Sequence, residues 1–513
     1  MSDEEVLGQL LMLAYPGEEP PPELFAWIEK RGLGGVKIFG WNADDTDRLA
    51  AATASLQQAA LRSGSGVPLL VATDQEGGWI RHVKGATTVT TGNMAIGASG
   101  LPYDAYRSAE IIGRELAALG VNMNFAPTVD LATKPSSPII GPRAFSDDPM
   151  EAAVLGAAYA RGLAASGVIA TAKHFPGHGG TELDSHGTLP VIGVDARTFR
   201  ERELLPFRLL AAEGVPAVMS GHLSYPLVSG ERGPASLSPY FMTELLRHEL
   251  GFRGIAVTDD LFMNGAIGNG LPFSEACVKA ILAGNDILMV SKMLGLEDPA
   301  WHRLLAAYRS DPAFRARARQ SAQRVLETKL SYLKPRGKTA LLPDRASLGR
   351  RLPDPEAAAF FKEQAYRSAT AVRSEGLPFA APGKLLLAGP FADFLAAGEA
   401  AYPGAARFKF SYKPEEAAQA AELELFEKAL AGAEAAVVCV ANQAGLDFAE
   451  RARKLGARVA IVSVQSPAPL AKARWASPAV AVYGYSPESL RAAFDVLTGK
   501  ERAQGRLPVK LGP

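Results

Sequence analysis

Between residues 8 and 290 the chain repeats one unit, a short run of apolar and β-branched residues followed by an Ala/Leu/Glu-rich stretch of helical period. Candidate strands fall at 7–13, 34–39, 68–73, 121–126, 168–172, 217–220, 255–258 and 286–290, and segments such as 106–119 and 198–213 supply helices between them. A strand that feeds a crossover helix pairs in parallel with the next strand. Eight such units predict a closed (β/α)8 barrel of TIM type rather than an open doubly wound sheet. Several strands end in polar residues: Asp74-Gln75-Glu76, Lys173-His174, His222 and Asp259-Asp260. A barrel gathers the C-terminal ends of its strands on one face, so these groups are expected to converge there.

The amphipathic stretch 314–333 closes this first domain, which is expected over 1–334. Lys334-Pro-Arg-Gly-Lys-Thr-Ala-Leu-Leu-Pro opens a linker placed at 335–353. A smaller α/β sandwich domain is then expected over 354–513, with strands at 384–388, 435–441, 459–464 and 480–483. The Ala-rich segment 395–436 has the composition of helix. This second domain contains no histidine and no glycine fingerprint for phosphate binding.

The 54 basic residues are matched by 54 acidic ones, which leaves no basic footprint for nucleic acid. The two cysteines, Cys277 and Cys439, lie far apart in apolar sequence and are expected to be buried free thiols. The N-terminus is acidic where a signal peptide would be basic, and no apolar stretch is long enough to span a bilayer. A cytoplasmic protein with no membrane partner is the expectation.

Three of the 7 histidines, His174, His178 and His186, lie within Lys173-His-Phe-Pro-Gly-His-Gly-Gly-Thr-Glu-Leu-Asp-Ser-His. The four-residue spacing of His174 and His178 is that of a helical zinc pair. Pro176, Gly177, Gly179 and Gly180 rule out the helix, so no metal is expected and His178 reads as a loop anchor. Asp184, two residues before His186, can accept the Nδ1–H of that histidine, fix its tautomer and raise its basicity. Of the adjacent acids Asp259 and Asp260 at a strand end, one is expected to face the pocket. Val71-Ala-Thr-Asp-Gln-Glu-Gly-Gly-Trp-Ile-Arg-His offers acceptors for sugar hydroxyls and a stacking face in Trp79. Arg143, in a Gly-Pro turn, can clamp a polar ligand or form a salt bridge.

In order and content these segments, with Asn122-Met-Asn-Phe-Ala-Pro, resemble the bacterial β-N-acetylglucosaminidases of glycoside hydrolase family 3. The likeness runs over about 5–334 and continues more faintly to Gly505-Arg-Leu-Pro-Val. It implies a retaining double displacement, with Asp259 as nucleophile, Asp260 structural, and His186, oriented by Asp184, as acid/base in place of the usual second carboxylate. It further implies that Asp74, Arg81, Arg143, Lys173 and His174 hold the sugar, with no metal or organic cofactor. Gly180 stands where the family has Asp, and His82 occupies the family's arginine slot, with Arg81 one residue earlier. The expected activity is removal of terminal β-linked N-acetylglucosamine from small glycans such as peptidoglycan fragments. A phosphorylase or β-glucosidase of the same fold and a catalytically silent glycan-binding protein are the alternatives.

Overall fold

The computed structural model describes residues 1–513 apart from 135–136, 269, 335–340, 381–382 and 512–513. Eight parallel strands, β1 (Leu11–Ala14), β2 (Gly35–Ile38), β3 (Leu70–Thr73), β4 (Met123–Asn124), β5 (Ile169–Phe175), β6 (Ala217–Ser220), β7 (Ile255–Thr258) and β8 (Leu288–Val290), pair in the order β8-β1-β2-β3-β4-β5-β6-β7. A parallel bridge between Val257 of β7 and Ile287, one residue before β8, joins the two ends of this order. The expected TIM-type barrel is therefore the fold observed.

Alternation along each strand divides the packing. Met12, Leu70, Ala72, Met123, Ile169 and Val257 form an inner cluster. Their neighbours Leu13, Val71, Ala170 and Ala256 belong to a separate outer cluster with the helices. Two boundaries differ most from expectation. Leu7 and Gly8 end a helix, Asp3–Gly8, because Ser2 and Glu5 form a reciprocal capping box, and the strand begins only at Leu11. Strand β5 runs on to Phe175, so Lys173 and His174 are strand residues.

The second sheet orders its strands β9-β14-β13-β12-β10-β11, where β9 is Thr370–Arg373, β10 Leu385–Gly389, β11 Ala406–Lys409, β12 Ala435–Val440, β13 Arg458–Ser463 and β14 Ala479–Ala481. Only the β9–β14 pairing is antiparallel. Leu385, Leu387, Val437 and Cys439 pack on one face with Leu490 and Phe494. Leu386, Ala388, Val438 and Val440 pack on the other with Phe426 and Phe448. This gives the expected three-layer sandwich, with two edge strands, β9 and β11, that were not anticipated. Within the expected linker, 335–340 lie outside the described residues, and Arg345–Ser347 and Leu348–Arg351 form short helical turns. Cys277 and Cys439 are buried free thiols. Among the described residues no helix is long and apolar enough to cross a membrane.

Candidate active site

The polar strand ends meet in a cavity of about 350 Å³ at the C-terminal face of the barrel. Lys37 comes from β2, Asp74 follows β3, Lys173 and His174 end β5, and Asp259 follows β7. Asp74 accepts from Lys37 Nζ at 2.6 Å and also from Lys173 Nζ. Lys173 reaches Glu76 Oε1 at 2.6 Å, and Arg143 forks onto both Glu76 oxygens at 2.8 and 2.9 Å. The result is a chain of alternating charge, Lys37–Asp74–Lys173–Glu76–Arg143. Each ion taken out of water costs several kcal/mol unless it is closely paired, and here every one has an opposite neighbour.

The protonation states follow from this pairing. Burial pushes the Asp74 carboxyl up, but Lys173 and Lys37 hold it well below the usual range. Burial likewise opposes ionisation of Glu76, yet Arg143 and Lys173 pull it down to about 2. Lys173 is raised, because Asp74 and Glu76 outweigh its desolvation. His82, near both Lys37 (Nδ1 to Nζ 3.4 Å) and Asp74, is lowered to about 4, mainly by burial and then by Lys37. It is neutral at pH 7. An Nδ1 that accepts from Lys37 leaves the proton on Nε2.

Asp130, fully buried, accepts from His174 Nδ1 at 2.6 Å and from the backbone N–H groups of His174 and His178. The Nε2 of His174 then lies 3.4 Å from Arg143 Nη2. His178 is buried beside the same carboxylate, and desolvation lowers it to about 4. Its Nε2 is 3.5 Å from Ser185 Oγ, at the far end of the glycine-rich loop. Gly180 faces Ile192 and, at 3.9 Å from its would-be Cβ, the buried Glu203 carboxylate. An aspartate there would bring a second negative charge beside Glu203.

Asp259 has one carboxylate oxygen bonded to the Asp260 N–H at 2.8 Å. Burial raises this carboxyl, while His174, His222 and that N–H together hold it below the usual range, so it is ionised at neutral pH. The neighbouring Asp260 instead accepts from Phe262 N and Ser291 N, at 3.2 and 2.9 Å, and so ties the β7 loop to the end of β8. On the rim of the cavity, Asp184 Oδ1 lies 2.7 Å from His186 Nδ1 and accepts the His186 backbone N–H at 2.9 Å. Those bonds, with burial opposing them, lower the Asp184 carboxyl. The imidazole is 75 % exposed. The loop that carries this pair docks on the segment after Asp259 through Gly265 N to Ser185 O, 2.9 Å.

The structure thus brings Asp74, Arg143, Lys173, His174, Asp184, His186 and Asp259 to one cavity. Arg81 is not among the residues that line this cavity. Its guanidinium donates to the carbonyls of Lys84 and Thr87, at 3.0 and 2.7 Å, and closes its own loop. His82 lines the cavity in its place, because successive residues of the short hairpin Gln75–Gly77/Ile80–Arg81 and its continuation point to opposite sides. Lys37 and Asp130 were not anticipated as site residues, and Glu76 was expected at this face without an assigned role. A lysine inside the apolar run 34–39, and an acid six residues past β4, were the available signals.

Residues 2–328 match the family model described as glycosyl hydrolase family 3 N terminal domain. Among curated proteins, the chain is 38% identical over 322 residues to "Beta-hexosaminidase A" of Pseudoalteromonas piscicida, covering 56% of this chain and 54% of that protein. It is 35% identical over 387 residues to "Beta-N-acetylglucosaminidase/beta-glucosidase" of Cellulomonas fimi, covering 73% of this chain and 65% of that one. The chain thus spans between about half and two thirds of the length of these relatives. Among solved structures, the family 3 β-N-acetylglucosaminidase of Paenibacillus sp. str. FPU-7 superposes with a TM-score of 0.90 at 31% identity, over 100% of this chain and 99% of that one. Barrel, cavity and family model agree, and the chain belongs to glycosyl hydrolase family 3.

Proposed function

We propose that this protein is a retaining exo-glycosidase that releases terminal β-linked N-acetylglucosamine from small glycans, including peptidoglycan fragments met in the cytoplasm. One observation carries the reading: an ionised Asp259 and an imidazole held in one tautomer by Asp184 border the same cavity. The names of the relatives support the substrate class.

In the first step an Asp259 oxygen attacks the anomeric carbon while the His186 imidazolium gives its Nε2 proton to the glycosidic oxygen. The carbon–oxygen bond to the aglycone breaks and a glycosyl ester forms. In the second step neutral His186 takes a proton from water, whose oxygen attacks the same carbon and releases the Asp259 carboxylate. Asp184 stabilises the imidazolium in both directions. The Lys37–Asp74–Lys173–Glu76–Arg143 chain supplies fixed donors and acceptors for ring hydroxyls.

The test is a panel of aryl β-glycosides, each with and without phosphate. The expected result is a kcat/KM for the N-acetylglucosaminide at least about 10²-fold above that for the glucoside, since a pocket built for an acetamido group leaves polar groups unpaired without it. Comparable values would assign the protein to β-glucosidase activity. Sugar 1-phosphate release in phosphate would assign it to phosphorolysis.

A further inference from the structure

The end of the barrel opposite Asp259 carries a groove that the glycosidase reading leaves unused. Two adjoining cavities, of about 550 and 560 Å³, lie where the chain enters the last three strands. Pro216 and Gly254 immediately precede β6 and β7, and Gly284 stands four residues before β8. Gly251, Phe252, Arg253, Arg324 and Glu327 form a wall common to both cavities.

One side of the groove follows from residue spacing. Arg317, Gln320, Arg324 and Glu327 recur at intervals of three and four, which places them on one face of the helix Pro312–Tyr332. Arg247 reaches the same place from the helix Tyr240–Glu249. Asp286 is fully buried and accepts from all three arginines: Arg247 Nη2 at 2.5 Å, Arg317 Nη2 at 3.0 Å and Arg324 Nη1 at 3.2 Å.

This cluster holds more positive charge than its own acids neutralise. Four guanidiniums, counting the exposed Arg253, stand against two carboxylates, Asp286 and the exposed Glu327. Nearby Glu244 is taken up by His248 at 3.0 Å. A carboxylate matches one guanidinium fork, and the oxygens of Asp286 are divided among three. Donors are therefore left over. Arg247 Nε is buried with no hydrogen-bond partner. Arg324 gives only Nη1 to Asp286, and the rest of its fork has no acceptor among the described residues. Burial lowers the Arg247 guanidinium; Asp286 opposes this, and Arg324 and Arg317 lower it further.

A site short of negative charge and of acceptors, with planar forks on its wall, suits a phosphate dianion. Beside it Pro216, Phe252 and Tyr332 offer apolar faces to whatever the phosphate is attached to. We propose that this groove binds a phosphate monoester, its phosphate held by Arg253, Arg317 and Arg324 and its organic part laid over Pro216, Phe252 and Tyr332. Asp286 also accepts the Ala256 N–H of β7 at 2.9 Å, so the dianion completes the charge balance of a cluster that anchors the strand leading to Asp259.

The test is isothermal titration calorimetry at fixed ionic strength, with phenyl phosphate and inorganic phosphate as probes. The proteins are wild type, R324Q, R253Q and, as a charge-matched control at an exposed position of the second domain, R502Q. Phenyl phosphate is expected to bind wild type and R502Q equally, at one site and about tenfold more tightly than inorganic phosphate, because its ring is buried. R324Q should weaken phenyl phosphate at least about tenfold, the scale of a lost bond to a charged group. R253Q removes an exposed charge outside the Asp286 cluster and should weaken it about threefold; it keeps the test decisive if R324Q does not fold. No saturable binding, wild-type affinity in R253Q and R324Q, or an equal loss in R502Q overturns the site. Equal affinities for the two probes overturn its assignment to an ester.

Discussion

Gly265→Ala tests whether the acid/base loop owes its position to docking on the nucleophile segment. A Cβ at Gly265 would lie 2.9 Å from the Ser185 carbonyl oxygen and 2.9 Å from His222 Cβ. Both are inside van der Waals contact, so one neighbour must move by several tenths of an ångström. His222 is buried and tied at both ring nitrogens, to Ser236 Oγ at 2.7 Å and the Asp260 carbonyl at 3.0 Å. The loop is the softer partner, because its next residue, His186, is exposed. The substitution therefore lengthens the Gly265 N to Ser185 O bond and displaces His186. Overpacking costs about 1–3 kcal/mol. The helix-propensity gain of Ala over Gly offsets at most about 1 kcal/mol of this, so a net loss of about 1–2 kcal/mol is expected in urea unfolding.

For activity, a misplacement approaching 1 Å costs up to about 10²-fold, and only where proton transfer matters. The assay is kcat/KM for phenyl and dinitrophenyl β-N-acetylglucosaminides, a parameter that covers the steps up to glycosyl-enzyme formation. Phenol, the poor leaving group, needs protonation; dinitrophenol does not. We expect Gly265→Ala to slow the phenyl substrate about 10- to 100-fold and the dinitrophenyl substrate less than about threefold, with His186→Ala setting the limit of the same pattern. Equal losses on both substrates, or wild-type rates on both, would refute the reasoning.

Asp259→Ala should lose at least about 10³-fold in kcat. Asp260→Ala, which forfeits two backbone hydrogen bonds, should cost about 2 kcal/mol of stability and keep most of the turnover; comparable rate losses in two folded variants would refute the division of roles. Glu76 is held at about 2 against an ordinary 4.5, so its contribution of about 3 kcal/mol is complete above pH 4.5 and is lost as pH falls toward 2. Glu76→Gln, which leaves Arg143 and Lys173 short of a counter-charge, should destabilise by about 3–5 kcal/mol at pH 7. Its urea midpoint should then fall less steeply than wild type between pH 5 and 2, and parallel curves would refute the linkage.

Much of the architecture was legible from the amino-acid order alone. Strand periodicity and helix-period spacers specify eight parallel crossovers, and a closed barrel has only one face for the C-terminal strand ends. Asp74, Lys173, His174 and Asp259 could therefore be grouped from their positions just at or past apolar runs. Asp184 and His186 were legible because their contact is local, two residues apart, and the 2.7 Å bond needs no distant neighbour. The edge strands β9 and β11 escaped notice because they carry Thr, Arg and Lys, and β11 is largely exposed. Their apolar pattern is weak because an edge has less to bury. The fate of Arg81 depended on the carbonyls of Lys84 and Thr87 folding round to meet it, and the role of Lys37 on Asp74 arriving from the next strand. Trp79 of the barrel lines one cavity with Lys413 and Lys472 of the second domain, although it stands more than 300 residues before either in the chain. Periodicity and local spacing determine which elements form and which ends they share; only the packed chain decides which way a hairpin side chain turns, which buried charges meet, and what one domain presents to the other.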